Sequence, residues 1–191
     1  MSDIQNAVKH FKTIMLHKKL VMEGCFKVGL YYQGITHDLS KFSPSEFLVG
    51  VKYFQGDRSP NNAEREDTGY SSAWLHHKGR NRHHFEYWID YPVRDVDTGE
   101  IKVVPAPMPD KYIVEMFMDR LAACKTYQKE EYTDLSPWNY YRKGDISRFL
   151  HPHTKELLER LLKMNAVKGE EYTIRYIRVK ILKNVRIRHV K

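Results

Sequence analysis

The sequence predicts an all-α fold with one small β-hairpin and a basic C-terminal tail. Three observations carry that prediction. Apolar residues recur at three- and four-residue spacing along most of the 191 residues. Ser43-Pro44 and Ser136-Pro137 are helix-start pairs, because proline suits the first helical turn and serine can cap it. A single stretch, Val93 to Val104, has the look of a hairpin, turning at Asp97-Thr98-Gly99.

In chain order, Ser2-Asp3-Ile4-Gln5 is a capping-box pattern. Ile4, Ala7, Val8, Phe11, Ile14 and Met15 follow at helical spacing. Leu20 to Tyr32 predicts further helix, bent near Gly24 and punctuated by Gly34. Ser43 is expected to cap the next helix with Glu46 completing the box, and Phe47, Leu48, Val51 and Phe54 form its apolar face. The polar run from Gly56 to Gly69 predicts a mobile surface loop, either a lid or a plain connector. Ser72 to Trp88 predicts helix, a break near Gly79, and helix again. After the hairpin, Pro105, Pro107 and Pro109 lead into a helix from Asp110 that carries Ile113, Met116, Phe117, Leu121 and Asp119. Short helices are expected from Ser136 and from Pro152 to near Gly169. Residues 1–178 read as one domain and 179–191 as a basic tail whose end the pattern leaves open among strand, arm and disorder.

Composition narrows the partners. At 41% hydrophobic and 13% aromatic the chain has enough apolar surface for a real core. No apolar run is long enough for a membrane span, and the start has no signal-peptide pattern. Cys25 and Cys124 lie in apolar, helix-like surroundings and are expected to be buried free thiols in a reducing cytoplasm. The net charge of +8 is concentrated: Arg175, Arg178, Lys180, Lys183, Arg186, Arg188 and Lys191 follow Glu171 with no acid among them. The body is close to neutral, so any nucleic-acid contact would belong to the tail.

The chemistry centres on Ile35-Thr36-His37-Asp38-Leu39-Ser40-Lys41. Imidazole and carboxylate together suit a divalent transition metal. On a helix the two would point about 100° apart, gripping one ion from two directions or bridging two. Lys41, four residues after His37, would share its side and could hold an anion such as a phosphate beside the metal. Of ten histidines, His17, His37, His76, His77, His83 and His84 fall in three segments, with Asp38 and Asp119 as acidic candidates. Asp119 sits among apolar neighbours, where a carboxylate needs a cation.

This order of His, His-Asp, His, His and Asp resembles the HD-domain superfamily of metal-dependent phosphohydrolases. The resemblance implies an HD-like helical bundle in which His17 is the first ligand, His37-Asp38 the signature pair and Asp119 the closing aspartate. Its two-metal members are similar in carrying further histidines between these. His77 and His84 are seven apart, as are His76 and His83, and either pair would align on one continuous helix. The break expected near Gly79 undoes that alignment, so spacing does not decide between the pairs, and His77 and His84 are the chosen ligands. Gly34-Ile35-Thr36-His37-Asp38-Leu39-Ser40-Lys41-Phe42, Trp74-Leu75-His76-His77, His83-His84-Phe85-Glu86-Tyr87-Trp88 and Glu115-Met116-Phe117-Met118-Asp119-Arg120 look like a family of bacterial and phage proteins with no assigned reaction.

The expected function is metal-dependent hydrolysis of a nucleotide or another phosphate ester. One or two divalent transition ions, iron, manganese or similar, would bind to His17, His37, Asp38, His77, His84 and Asp119. Asp38 would orient the water, and Lys41 and Arg80 would contact a small phosphorylated substrate. One alternative is a di-iron oxygenase of the same superfamily. Another is a non-enzymatic, metal-stabilised protein whose tail binds nucleic acid.

Overall fold

The computed structural model describes residues 3–94 and 96–182. The fold is all-α with one two-stranded antiparallel sheet, as the sequence predicts. No helix among the described residues is long and apolar enough to cross a membrane. Two compact units make up the chain, residues 1–81 with 118–132, and residues 82–117 with 133–191.

The first unit opens with α1, Asp3–Lys27, a single continuous helix. Ile14, His17, Val21 and Cys25 recur along its buried face. Gly24 lies inside this helix and makes no break, because a Cβ there would meet the Met118 sulfur at 2.9 Å. The chain turns instead at Gly29, whose φ of +82° suits glycine. Then come α2, Tyr31–Thr36, a 3-10 turn, Leu39–Phe42, and α3, Pro44–Lys52. Gly34, expected to end a helix, is buried within α2, where a Cβ would come 3.1 Å from the Phe26 ring.

The expected loop from Gly56 to Gly69 is largely a helix, α4, Pro60–Thr68. Pro60 fills the first turn and Gly69, at φ +83°, closes it. Its apolar signal is thin, since apart from Pro60 its only apolar residue is Ala63, which it buries. Glu64 supplies what is missing. Its carboxylate accepts from the Ser71 hydroxyl at 2.5 Å and from the Ser72 amide at 3.0 Å, tying α4 to the start of α5, Ser72–Lys78. Burial alone would raise the Glu64 pKa, but these donors bring it below the ordinary value.

In the second unit a 3-10 turn, Phe85–Trp88, takes the place of the second helix expected after Gly79. The hairpin follows as β1, Ile89–Arg94, and β2, Ile101–Pro105, in the register Asp90↔Val104 and Arg94↔Ile101. Helix α6, Asp110–Gln128, begins here and passes into the first unit after Phe117. The remaining elements are α7, Ser136–Gly144, α8, Pro152–Lys168, and α9, Glu170–Tyr176, continued by a π turn, Ile177–Ile181. Leu157, Leu158, Leu161 and Leu162 of α8 are buried, as the apolar spacing predicts. Cys25 and Cys124 are both buried and unbridged. The tail's last residues, 183–191, lie outside the described residues, as does Ser2 of the first capping box.

Candidate metal centre

His37 and Asp38 are not on a helix. His37 has φ −51° and ψ 126°, and Asp38 has φ 54° and ψ 25°, so the pair forms the corner between α2 and the 3-10 turn. The expected helical relation between His37 and Lys41 is therefore replaced. The turn folds Lys41 back onto Asp38, three residues earlier, with Nζ 2.6 Å from Oδ2. A left-handed backbone is tolerated by aspartate better than by most residues. The corner is tied to α1 by Lys18, whose ammonium donates to the carbonyls of Ile35 at 2.7 Å and His37 at 2.8 Å.

Three elements then bring four predicted residues together. His17 comes from α1, His37 and Asp38 from the corner, and Asp119 from α6. One donor atom of each lies within 4.8 Å of the others. His17 Nε2 stands 3.0 Å from Asp119 Oδ1 and 3.7 Å from Asp38 Oδ2, and His37 Nε2 stands 3.4 Å from Asp38 Oδ2 and 3.7 Å from Asp119 Oδ1. His17, His37 and Asp38 are buried and Asp119 is half-buried. Two imidazole nitrogens and two carboxylate oxygens converging in a largely buried site form a donor set that fits a divalent transition ion.

The electrostatics favour the ligand forms. Burial, then the nearby Lys41 charge, lowers the His17 pKa despite Asp119, keeping the ring neutral and its nitrogen lone pair available. Burial would raise the Asp38 pKa, but His37, Lys41 and His77 outweigh it and hold the carboxyl well below its ordinary value. Lys41 is the converse: burial would strip its proton, yet Asp38 and Asp119 keep it an ammonium. Its positive charge gives the centre one anion-attracting side.

The remaining predicted residues divide. His77 Nε2 faces the other oxygen of Asp38, Oδ1, at 3.2 Å. Its Nδ1 lies 2.8 Å from Glu46 Oε2, while His76 Nδ1 lies 2.6 Å from Glu46 Oε1. Burial would lower the His77 pKa, but Asp38 and Glu46 raise it. Arg80 is exposed and donates to the His76 carbonyl at 3.1 Å. His84 belongs to the second unit, half-buried with its ring centroid 4.1 Å from that of His83. His83 is buried there, with Nδ1 3.2 Å from Glu115.

Sequence reading missed Glu46 and Lys18. The capping box that the sequence predicts for Glu46 does not form: Ser43 makes no side-chain cap, and the carboxylate turns inward to the histidines. Ser-x-x-Glu signals a helix start, and α3 does begin at Pro44. Only the buried imidazoles of α5 reveal the other use of that carboxylate.

The model of a family of unknown function (DUF5662) matches residues 6–164. No curated protein and no solved structure matches the chain. The matched span contains every residue of the cluster, and the HD-superfamily resemblance remains a resemblance, resting on the motifs quoted above.

Proposed function

Since the chain belongs to this family, whose description carries no reaction, we propose from the site alone that it is a metal-dependent phosphohydrolase acting on a nucleotide or another phosphate ester. The supporting observation is the convergence of His17, His37, Asp38 and Asp119 within one buried corner. A divalent ion such as iron or manganese, held by these four side chains, would supply Lewis acidity and an activated water.

The chain's own residues do the rest. His17, kept neutral by burial, and His37 each offer an imidazole nitrogen, and Asp38 and Asp119 would neutralise the ion's charge. Lys41, kept charged beside Asp38, attracts a phosphoryl oxygen and offsets negative charge that builds during displacement. Asp38 presents Oδ2 towards His17 and His37 and Oδ1 towards His77, so it suits the orientation of a nucleophilic water. Arg80, exposed just past the end of α5, stays in the proposal as a substrate contact.

The test is elemental analysis of protein purified without chelator, then assay against nucleotides and simple phosphate esters. His37→Ala and Asp38→Ala are expected to lose both metal and turnover. Hydrolysis retained by a metal-free variant rejects the reading. Iron-dependent oxygen consumption without phosphate release moves it to the oxygenase class.

A further inference from the structure

We propose that Glu46 is the positioning residue of this centre: by accepting from His76 and His77 with its two oxygens, it fixes the His77 ring and, through it, the oxygen that Asp38 presents to His17 and His37. The proposal deepens the metal reading and rests on it.

Glu46 is only 6% exposed, and a carboxylate in such a place needs donors. It stands in the first turn of α3, where an acidic side chain could have capped the helix or faced water. Instead it receives two neighbouring imidazoles of α5, at 2.6 Å and 2.8 Å. A carboxylate can only accept, so each Nδ1 carries the proton in these bonds. The His77 ring is thereby oriented with Nε2 towards Asp38 Oδ1, at 3.2 Å.

Asn81 ties the His77 backbone to the corner that carries Asp38. Its side-chain amide donates to the His77 carbonyl and to the Ser40 hydroxyl, both at 2.8 Å. With Oδ1 of Asp38 held by His77, Oδ2 is left on the side of His17, His37 and Lys41. A carboxylate that holds an imidazole, which in turn orients a ligand, commonly governs metal affinity. A carboxylate that merely tied α3 to α5 would influence stability alone.

The experiment uses full-length apo protein carrying ¹⁵N-labelled histidine, titrated with Co²⁺ alone. In the wild type, His77 resonances should report a proton on Nδ1. Glu46→Gln keeps the shape but offers one acceptor oxygen to two donors, so it should shift those resonances and weaken Co²⁺ binding about 10–100-fold. Should that variant unfold, Glu46→Asp, which keeps the charge but withdraws it, should weaken binding in the same direction. Unchanged Co²⁺ affinity with unchanged His77 resonances in a folded variant overturns the proposal. A wild-type protein that takes up no Co²⁺ overturns the metal reading itself. That failure is distinguishable, because the apo His77 resonances would still depend on Glu46.

Discussion

The two units of the chain bury polar groups for different purposes. In the second unit most of them satisfy backbone. Thr154 accepts from the Met108 amide at 3.3 Å, Asn165 donates to the Asp134 carbonyl at 2.7 Å, and Thr173 donates to the Gly169 carbonyl at 3.0 Å. These three side chains are at most 1% exposed. In the first unit His17, His37, Asp38, Glu46 and His77 are turned towards one another. Backbone anchoring stabilises a fold, whereas mutually facing imidazoles and carboxylates are costly without a cation. His83 with Glu115 is the second unit's exception. The contrast is the reason the proposed metal centre is placed in the first unit.

The comparison is broken most directly by withdrawing the metal that the first unit's cluster is proposed to bind. At a metal concentration a thousand times Kd, binding stabilises the folded state by about 4 kcal/mol. Chelator should lower the wild-type Tm accordingly and leave that of Asp119→Ala unchanged, as read by calorimetry. Equal chelator sensitivity in the two proteins would show that the cluster is not the site.

Leu161→Ala probes the apolar side of the contrast. The residue is fully buried in α8, so truncation should cost about 3 kcal/mol in urea denaturation. A loss under about 1 kcal/mol would place it outside a packed interior.

A pH effect sharpens the picture of the first unit. His10 is buried against the rings of Phe47 and Phe54, and a Cβ on Gly50 would lie 2.1 Å from its Nε2. Burial, then the Lys41 charge, lowers its pKa to about 4. Its pKa when unfolded is higher, so the unfolded chain binds the proton first. Stability from this residue is complete above about pH 6.5 and falls as pH drops towards 4. At pH 5 the loss is about 2 kcal/mol, and His10→Phe should flatten that part of the stability curve. A wild-type curve already flat between pH 6.5 and 4 would contradict the burial of this ring.

The smallest expected effect is at the start of α5. Ser71 Oγ accepts from the Trp74 amide at 3.0 Å, and its hydroxyl donates to Glu64. Ser71→Ala should cost about 1 kcal/mol in denaturant titration. A neutral result would mean that Glu64 supports this turn without the serine.

Much of the architecture was legible because helix signals are local. Pro44, Pro137 and Pro152 begin helices by a constraint each proline imposes itself. The same locality explains the misses. Pro60 opens a helix whose main tether is Glu64 reaching Ser71 and Ser72, a contact that spacing of apolar residues does not encode. Gly24 and Gly34 read as breaks from the sequence, whereas each packs closely on a neighbour, with the Met118 sulfur 2.9 Å and the Phe26 ring 3.1 Å from where a Cβ would stand.

For the site, residue type and order, read through the resemblance to the HD-domain superfamily, nominated His17, His37, Asp38 and Asp119 together with His77 and His84. The convergence of the first four was settled by the tertiary fold: a left-handed turn at Asp38, the Lys18 tether and the meeting of α1 with α6. So were the roles of neighbours, since whether Glu46 caps a helix or holds two imidazoles depends on what stands opposite it. Sequence determines which chemistry a chain carries and where its helices begin. Distance between remote side chains belongs to packing, and that distance is what makes a set of ligands into a centre.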